Sequence, residues 1–114
     1  GMSRDPATVE AYASDPLIYR DAYKRPLLEA EVVALDRFRA DIGALTMPVL
    51  FCHGTDDPFV DYRTSLAAVE SMPSADTTIR LYEGARHELV NETNRHDVIA
   101  EIVDFVDRVA TPAT

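Results

Sequence analysis

The sequence has one cysteine in 114 residues, few positive charges, no internal repeat and no apolar run long enough to cross a bilayer. Each shortage excludes something. A lone Cys52 cannot form an internal disulfide and fits a reducing compartment. No secretory h-region follows the N-terminus, so the expected location is cytoplasmic, with neither a membrane span nor export. Gly1 ahead of Met2 reads as a tag remnant. Eleven basic residues face 20 acidic ones, a net charge of −9. That balance repels nucleic acid and anionic headgroups and argues against DNA, RNA or phospholipid surfaces as partners. The acidic residues are dispersed, as on a solvated surface. Asn91-Glu92-Thr93 has the form of a glycosylation sequon, which means little without a secretion signal.

What is present suits one soluble domain with a modest core: 46% hydrophobic and 27% charged residues. Asp5-Pro6 and Asp15-Pro16 each set a capping residue before a proline. The first predicts a short helix to about Tyr12, the second a turn or brief helical piece. A longer helix is expected over Arg25 to Asp41, with Leu28, Val32, Leu35, Phe38 and Ile42 on one face. Arg39 falls close to that stripe and is expected to snorkel to water. Val49-Leu50-Phe51-Cys52 is wholly apolar, as in a strand covered on both faces. Asp61 is placed to cap a helix to about Met72 that buries Tyr62, Leu66 and Val69. Thr77 to Tyr82 alternates as a second strand. The last helix, Asn94 to Ala110, carries Val98, Ile99, Ile102, Phe105, Val106 and Val109 on one stripe. Glu101, Asp104, Asp107 and Arg108 are expected to face water.

Strand, helix, strand, helix has a chemical consequence. Two strands joined by a helix pair in parallel, so their C-terminal ends share one sheet edge. The loops Gly54 to Val60 and Gly84 to Thr93 should therefore meet where open α/β sheets hold ligands. Two strands alone leave both edges unpaired, so something else is expected to complete the sheet. Asp57 and His87 lie on these two loops, far enough apart in sequence for one helix and one strand between them, so such a pair is physically permitted. A carboxylate there can orient an imidazole, which can then move a proton for a nucleophile.

His53-Gly54-Thr55-Asp56-Asp57, then Val60-Asp61, then Leu81-Tyr82-Glu83-Gly84-Ala85-Arg86-His87-Glu88 resembles the segments around the last two triad residues of monoacylglycerol lipases. These belong with the lysophospholipase-like and serine-aminopeptidase-like α/β-hydrolases. The resemblance implies an α/β fold, the C-terminal portion of an α/β-hydrolase, with Asp57 as triad acid and His87 as base. Acid before histidine is that fold's chain order. Ser3-Arg4-Asp5-Pro6 through Leu17 resembles part of the family's helical cap, so residues 1–30 read as the end of the cap and 31–114 as core. The implied substrate is an acylglycerol or another carboxylic ester, and no cofactor or metal is implied.

Two elements of that family are missing. None of Ser3, Ser14, Ser65, Ser71 and Ser74 sits in a Gly-x-Ser-x-Gly elbow. The glycine-rich oxyanion loop is absent too. An Asp-His pair without a nucleophile has nothing to activate, so the chain alone is expected to be inert. The rival reading is a non-catalytic remnant that self-associates, most simply as a dimer, and hides its open sheet edge.

Plainer roles compete residue by residue. Asp57 has the position of a helix cap, shared with Asp56 and Asp61. His53 reads as a polar residue closing the strand end, and His96 as exposed on the last helix. A metal site from His53, Asp57, His87 and Glu88 lacks the second histidine of His-Glu-x-x-His. Cys52, inside an apolar strand, reads as a small hydrophobe rather than a nucleophile. Tyr12, Tyr19 and Tyr23 are expected to pack against their own core, a lipid entrance being the alternative.

Overall fold

The structure is a computed structural model that describes residues 1–110. Residues 111–114, the end of the expected core segment, lie outside the described residues. The described chain runs α1 (Pro6–Ser14), α2 (Arg25–Asp41), a 3-10 turn (Ile42–Ala44), β1 (Val49–Gly54), α3 (Tyr62–Glu70), β2 (Thr77–Tyr82), a second 3-10 turn (Leu89–Asn91) and α4 (Arg95–Ala110).

Local chemistry sets the helix starts. Asp5 caps α1 by accepting from the Ala7 amide at 2.9 Å, and Pro6 occupies the first turn, where no amide is needed. Asp15 instead closes a turn on the Leu17 amide at 2.8 Å. Asp61 caps α3 through the Arg63 amide at 3.0 Å. β1 and β2 pair in parallel, Val49 opposite Thr77 through Gly54 opposite Tyr82. Both strands therefore end at the same edge. β1 runs two residues past the expected Cys52, because the pairing continues to Gly54.

Packing is uneven. Val69 of α3, Ala85 and Val98 of α4 are the buried hydrophobic residues among those described. α3 and α4 both lie against β1. The expected apolar stripe of α2 is present but not covered: Leu28, Val32, Leu35 and Phe38 are exposed, and α2 buries no residue. The stripe of α4 is divided. Val98 is buried, while Ile99, Val106 and Val109 face outward. Arg39 reaches water and pairs with Asp36 at 3.2 Å. Glu101, expected in water, is half-buried and pairs with Arg80, while Arg108 is exposed as expected and pairs with Asp76.

An open apolar groove of about 660 Å³ separates the end of α2 from β1 and α3, lined by Leu35, Phe38, Ile42, Phe51, Val60 and Val69 among others. The chain exposes 8267 Å², against about 6,200 Å² for a folded monomer of its mass. Its radius of gyration is 16.6 Å, where about 13 Å suits the length. A two-stranded sheet with bare helix faces gives both values their physical origin.

Candidate active site

The loops after β1 and β2 meet as their parallel pairing requires, and the contact is close. The Thr55 amide donates to the Tyr82 carbonyl at 3.1 Å and the Asp56 amide to the Ala85 carbonyl at 3.0 Å. The Gly84 amide returns a bond to the Thr55 hydroxyl at 2.9 Å. Gly84 has φ of +69°, a conformation that favours glycine.

This stitching brings Asp57 to His87. The His87 Nδ1–H donates to Asp57 Oδ2 at 2.8 Å. The other carboxylate oxygen accepts from the Phe59 amide at 2.8 Å and the Val60 amide at 3.1 Å. The Asp57 side chain is only 4% exposed, while that of His87 is 40% exposed. Burial alone would raise the Asp57 carboxyl. The bonds from His87, Phe59 and Val60, with the nearby imidazole, outweigh it and hold the group below the usual carboxylate range. An ionised, immobile carboxylate thus fixes the proton on Nδ1 and leaves Nε2 as the nitrogen able to take one. The Phe59 ring meets the imidazole edge-on, with centroids 5.5 Å apart.

Asp57 is therefore not the cap of α3; Asp61 holds that role. Asp56 stays outside the pair; its carboxylate accepts from the Thr55 hydroxyl at 3.5 Å. His53 closes the strand end, as its position suggests: Nδ1 donates to the Gly54 carbonyl at 2.9 Å. Its Nε2 also lies 3.9 Å from Asp57 Oδ2, which sequence spacing does not reveal. Glu88 turns to the Asn91 amide group at 3.1 Å, and His96 is exposed on α4. No group of three metal-ligating side chains converges among the described residues. Cys52 is part-buried and burial pushes its thiol up, which disfavours a thiolate.

Tyr12, Tyr19 and Tyr23 do not pack against a core as expected; all three are exposed. Tyr12 and Tyr23 line an apolar recess of about 230 Å³ with Met2, Val9 and Phe59, beside the imidazole. A smaller recess of about 190 Å³ touches Asp57 and His87 directly, with Cys52, His53, Gly54 and Leu89 completing its lining.

Sequence reasoning missed Glu92. Its side chain is 0% exposed, yet it carries a charge. One oxygen accepts from the Arg4 amide at 3.0 Å and the Arg86 amide at 2.9 Å. The other accepts from Arg4 Nε at 2.8 Å and the Thr93 amide at 3.1 Å. Burial pushes this carboxyl up, but the bonds from Arg4, Arg86 and Thr93 overcome it and the net direction is down. Ser3 is buried alongside, donating to the Asn91 carbonyl at 2.7 Å. In the sequence, Glu92 shows only as the middle of a sequon, 88 residues from Arg4.

Comparison with known proteins follows the same lines. A family model described as serine aminopeptidase, S33, matches residues 1–94. A monoglyceride lipase of Homo sapiens is 34% identical over 99% of this chain and 38% of its own length. A monoacylglycerol lipase of Mycolicibacterium smegmatis is 28% identical over 92% of this chain and 38% of its own. The crystal structure of Paleococcus ferrophilus monoacylglycerol lipase superimposes with a TM-score of 0.84 at 26% identity, covering 92% of this chain and 41% of that one. The chain thus spans under half the length of these relatives.

Proposed function

The chain belongs to the serine aminopeptidase (S33) family of α/β-hydrolases, and from that premise we propose that it is the acid-and-base part of a carboxylic-ester hydrolase acting on monoacylglycerols or similar esters. The observation that carries this reading is the 2.8 Å bond between His87 Nδ1 and a buried, doubly anchored Asp57. In the complete hydrolase, a serine hydroxyl outside this sequence gives its proton to His87 Nε2 as it attacks the ester carbon. The leaving alcohol takes that proton from the imidazolium. Water, deprotonated by the same nitrogen, then releases the acid and regenerates the serine. Asp57 keeps the ring in the right tautomer and stabilises its charged form throughout. Residues 1–30 are assigned to the cap and 31–114 to the core, in a cytoplasmic enzyme.

The similarity to monoacylglycerol and monoglyceride lipases supports the substrate class. So does the apolar recess beside the imidazole, which suits an acyl chain. Lacking a nucleophile elbow, the chain by itself is inert in this reading. The test is a graft: residues 1–110 replace the corresponding C-terminal part of the human relative. A graft that is folded by circular dichroism should hydrolyse monoacylglycerol, and His87→Ala should cost it about a thousandfold or more. A folded graft that keeps its activity after His87→Ala would refute the assignment.

A second reading, a non-catalytic remnant that self-associates as a dimer, is favoured by one observation. Among the described residues, both edges of the β1–β2 pair are open beside bare faces on α2 and α4.

A further inference from the structure

We propose that Glu92 is a positioning residue for His87, tying the backbone before the imidazole to the segment Ser3–Asp5. The inference rests on the reading of Asp57 and His87 as an acid–base pair. Its basis is a clamp acting on two consecutive residues. The Ala85 carbonyl is held from one side by the Asp56 amide at 3.0 Å, next to Asp57. The Arg86 amide is held from the other side by Glu92 at 2.9 Å, next to His87. One bond therefore registers the loop on the acid, and the other sets the backbone from which the base projects.

Glu92 is itself fixed from the N-terminal segment. Arg4 supplies both its amide and its guanidinium, and the guanidinium also reaches the Asn94 side chain at 3.1 Å. Around this centre, the Glu88 amide donates to the Met2 carbonyl at 2.9 Å. Arg95 pairs with Asp5 at 2.8 Å. The base loop and the start of α4 are thus bonded to residues 2–5 on either side of Glu92, so that displacement of that segment is passed to His87.

The residue type follows from the donors. Four N–H groups converge on one side chain, filling the roughly four acceptor positions of a carboxylate. No lone pair is left for substrate, so the role is positioning rather than catalysis. Glutamine would turn an NH₂ group toward N–H donors and lose at least one bond without changing shape. Aspartate, one methylene shorter, would leave its carboxylate short of the point where these donors converge.

The test reads the His87 ring by nitrogen NMR in the purified chain, at a pH where the imidazole is neutral. The ratio of the Nδ1–H to the Nε2–H tautomer reports the bond to Asp57. In the wild-type chain Nδ1–H should predominate, and Asp57→Asn should abolish that preference. Glu92→Gln should lower the ratio at least tenfold with the amide signals of α4 unchanged. Arg4→Ala, which removes one donor and leaves the loop backbone intact, should lower it about threefold. If Glu92→Gln fails to fold, Arg4→Ala decides. A folded variant with the wild-type ratio overturns the role of Glu92 and leaves the Asp57–His87 pair standing. A wild-type chain without an Asp57-dependent preference overturns the pair itself, and this proposal with it.

Discussion

Gly54 and the carbonyl of Ala85 stand so close that a Cβ on Gly54 would lie 2.2 Å from the Ala85 oxygen and 2.5 Å from that of Arg86. The approach lets the loop bearing Asp57 meet the loop bearing His87, and no side-chain rotation relieves it, because both obstacles are backbone.

Gly54→Ala should therefore separate the loops and destabilise the chain by about 1–3 kcal/mol or more. Gly43 provides the contrast, since its Cβ would meet nothing within 4 Å. Gly43→Ala should be neutral, or stabilising by about 0.4–1 kcal/mol through the unfolded state. Urea unfolding of the two variants side by side checks the difference in sign.

Two neighbouring aspartates should part in the same measurement. Asp61→Ala removes the cap bond to the Arg63 amide and should cost about 1 kcal/mol. Asp56→Ala leaves its structural bond in place, because the backbone amide, not the carboxylate, holds Ala85. Its effect should stay within about 0.5 kcal/mol.

How much of this was legible in advance varies with the range of the interaction. The bounds of α2 and β2 follow from local periodicity and match the expected residues. The parallel pairing of β1 with β2 follows from strand–helix–strand order. The meeting of Asp57 with His87 follows from that pairing, since each comes just after a strand end at the same edge. Burial did not follow. The stripe Leu28, Val32, Leu35 and Phe38 marks a face able to be covered, but periodicity does not say whether the cover lies in the same chain. Glu92 was illegible for another reason. Its partner Arg4 lies 88 positions away, and a lone glutamate in a loop reads as solvated.

Acid should weaken the chain in a defined window. Asp57 and Glu92 both have carboxyls lowered in the folded state: burial acts upward on each, and the hydrogen bonds received outweigh it. A lowered folded value contributes stability above the unfolded value, about 3.9 for Asp and 4.3 for Glu. That contribution is lost as pH falls through the still lower folded value. Thermal midpoints should hold steady from about pH 7 to pH 5 and decline below about pH 4. In Glu92→Gln the decline should be shallower and the neutral plateau lower. A midpoint that rises on acidification would contradict the sign.

The uncovered surface also makes a prediction. The excess of about 2,000 Å² over a compact monomer is more than the roughly 800 Å² that each partner buries in a standard protein interface. If the chain self-associates, light scattering on a sizing column should give twice its 12.7 kDa, with the β1–β2 edges and the α2 face protected from hydrogen exchange. A clean monomer with those regions unprotected would count against the remnant-dimer reading and leave the hydrolase reading intact.

The most direct test of the central claim, that this chain holds an acid and a base without a nucleophile, is turnover of a short-chain p-nitrophenyl ester by the purified chain beside its His87→Ala variant. The account predicts no turnover above the variant. Turnover that His87→Ala abolishes would mean that a nucleophile is present within these residues, and the claim would be wrong.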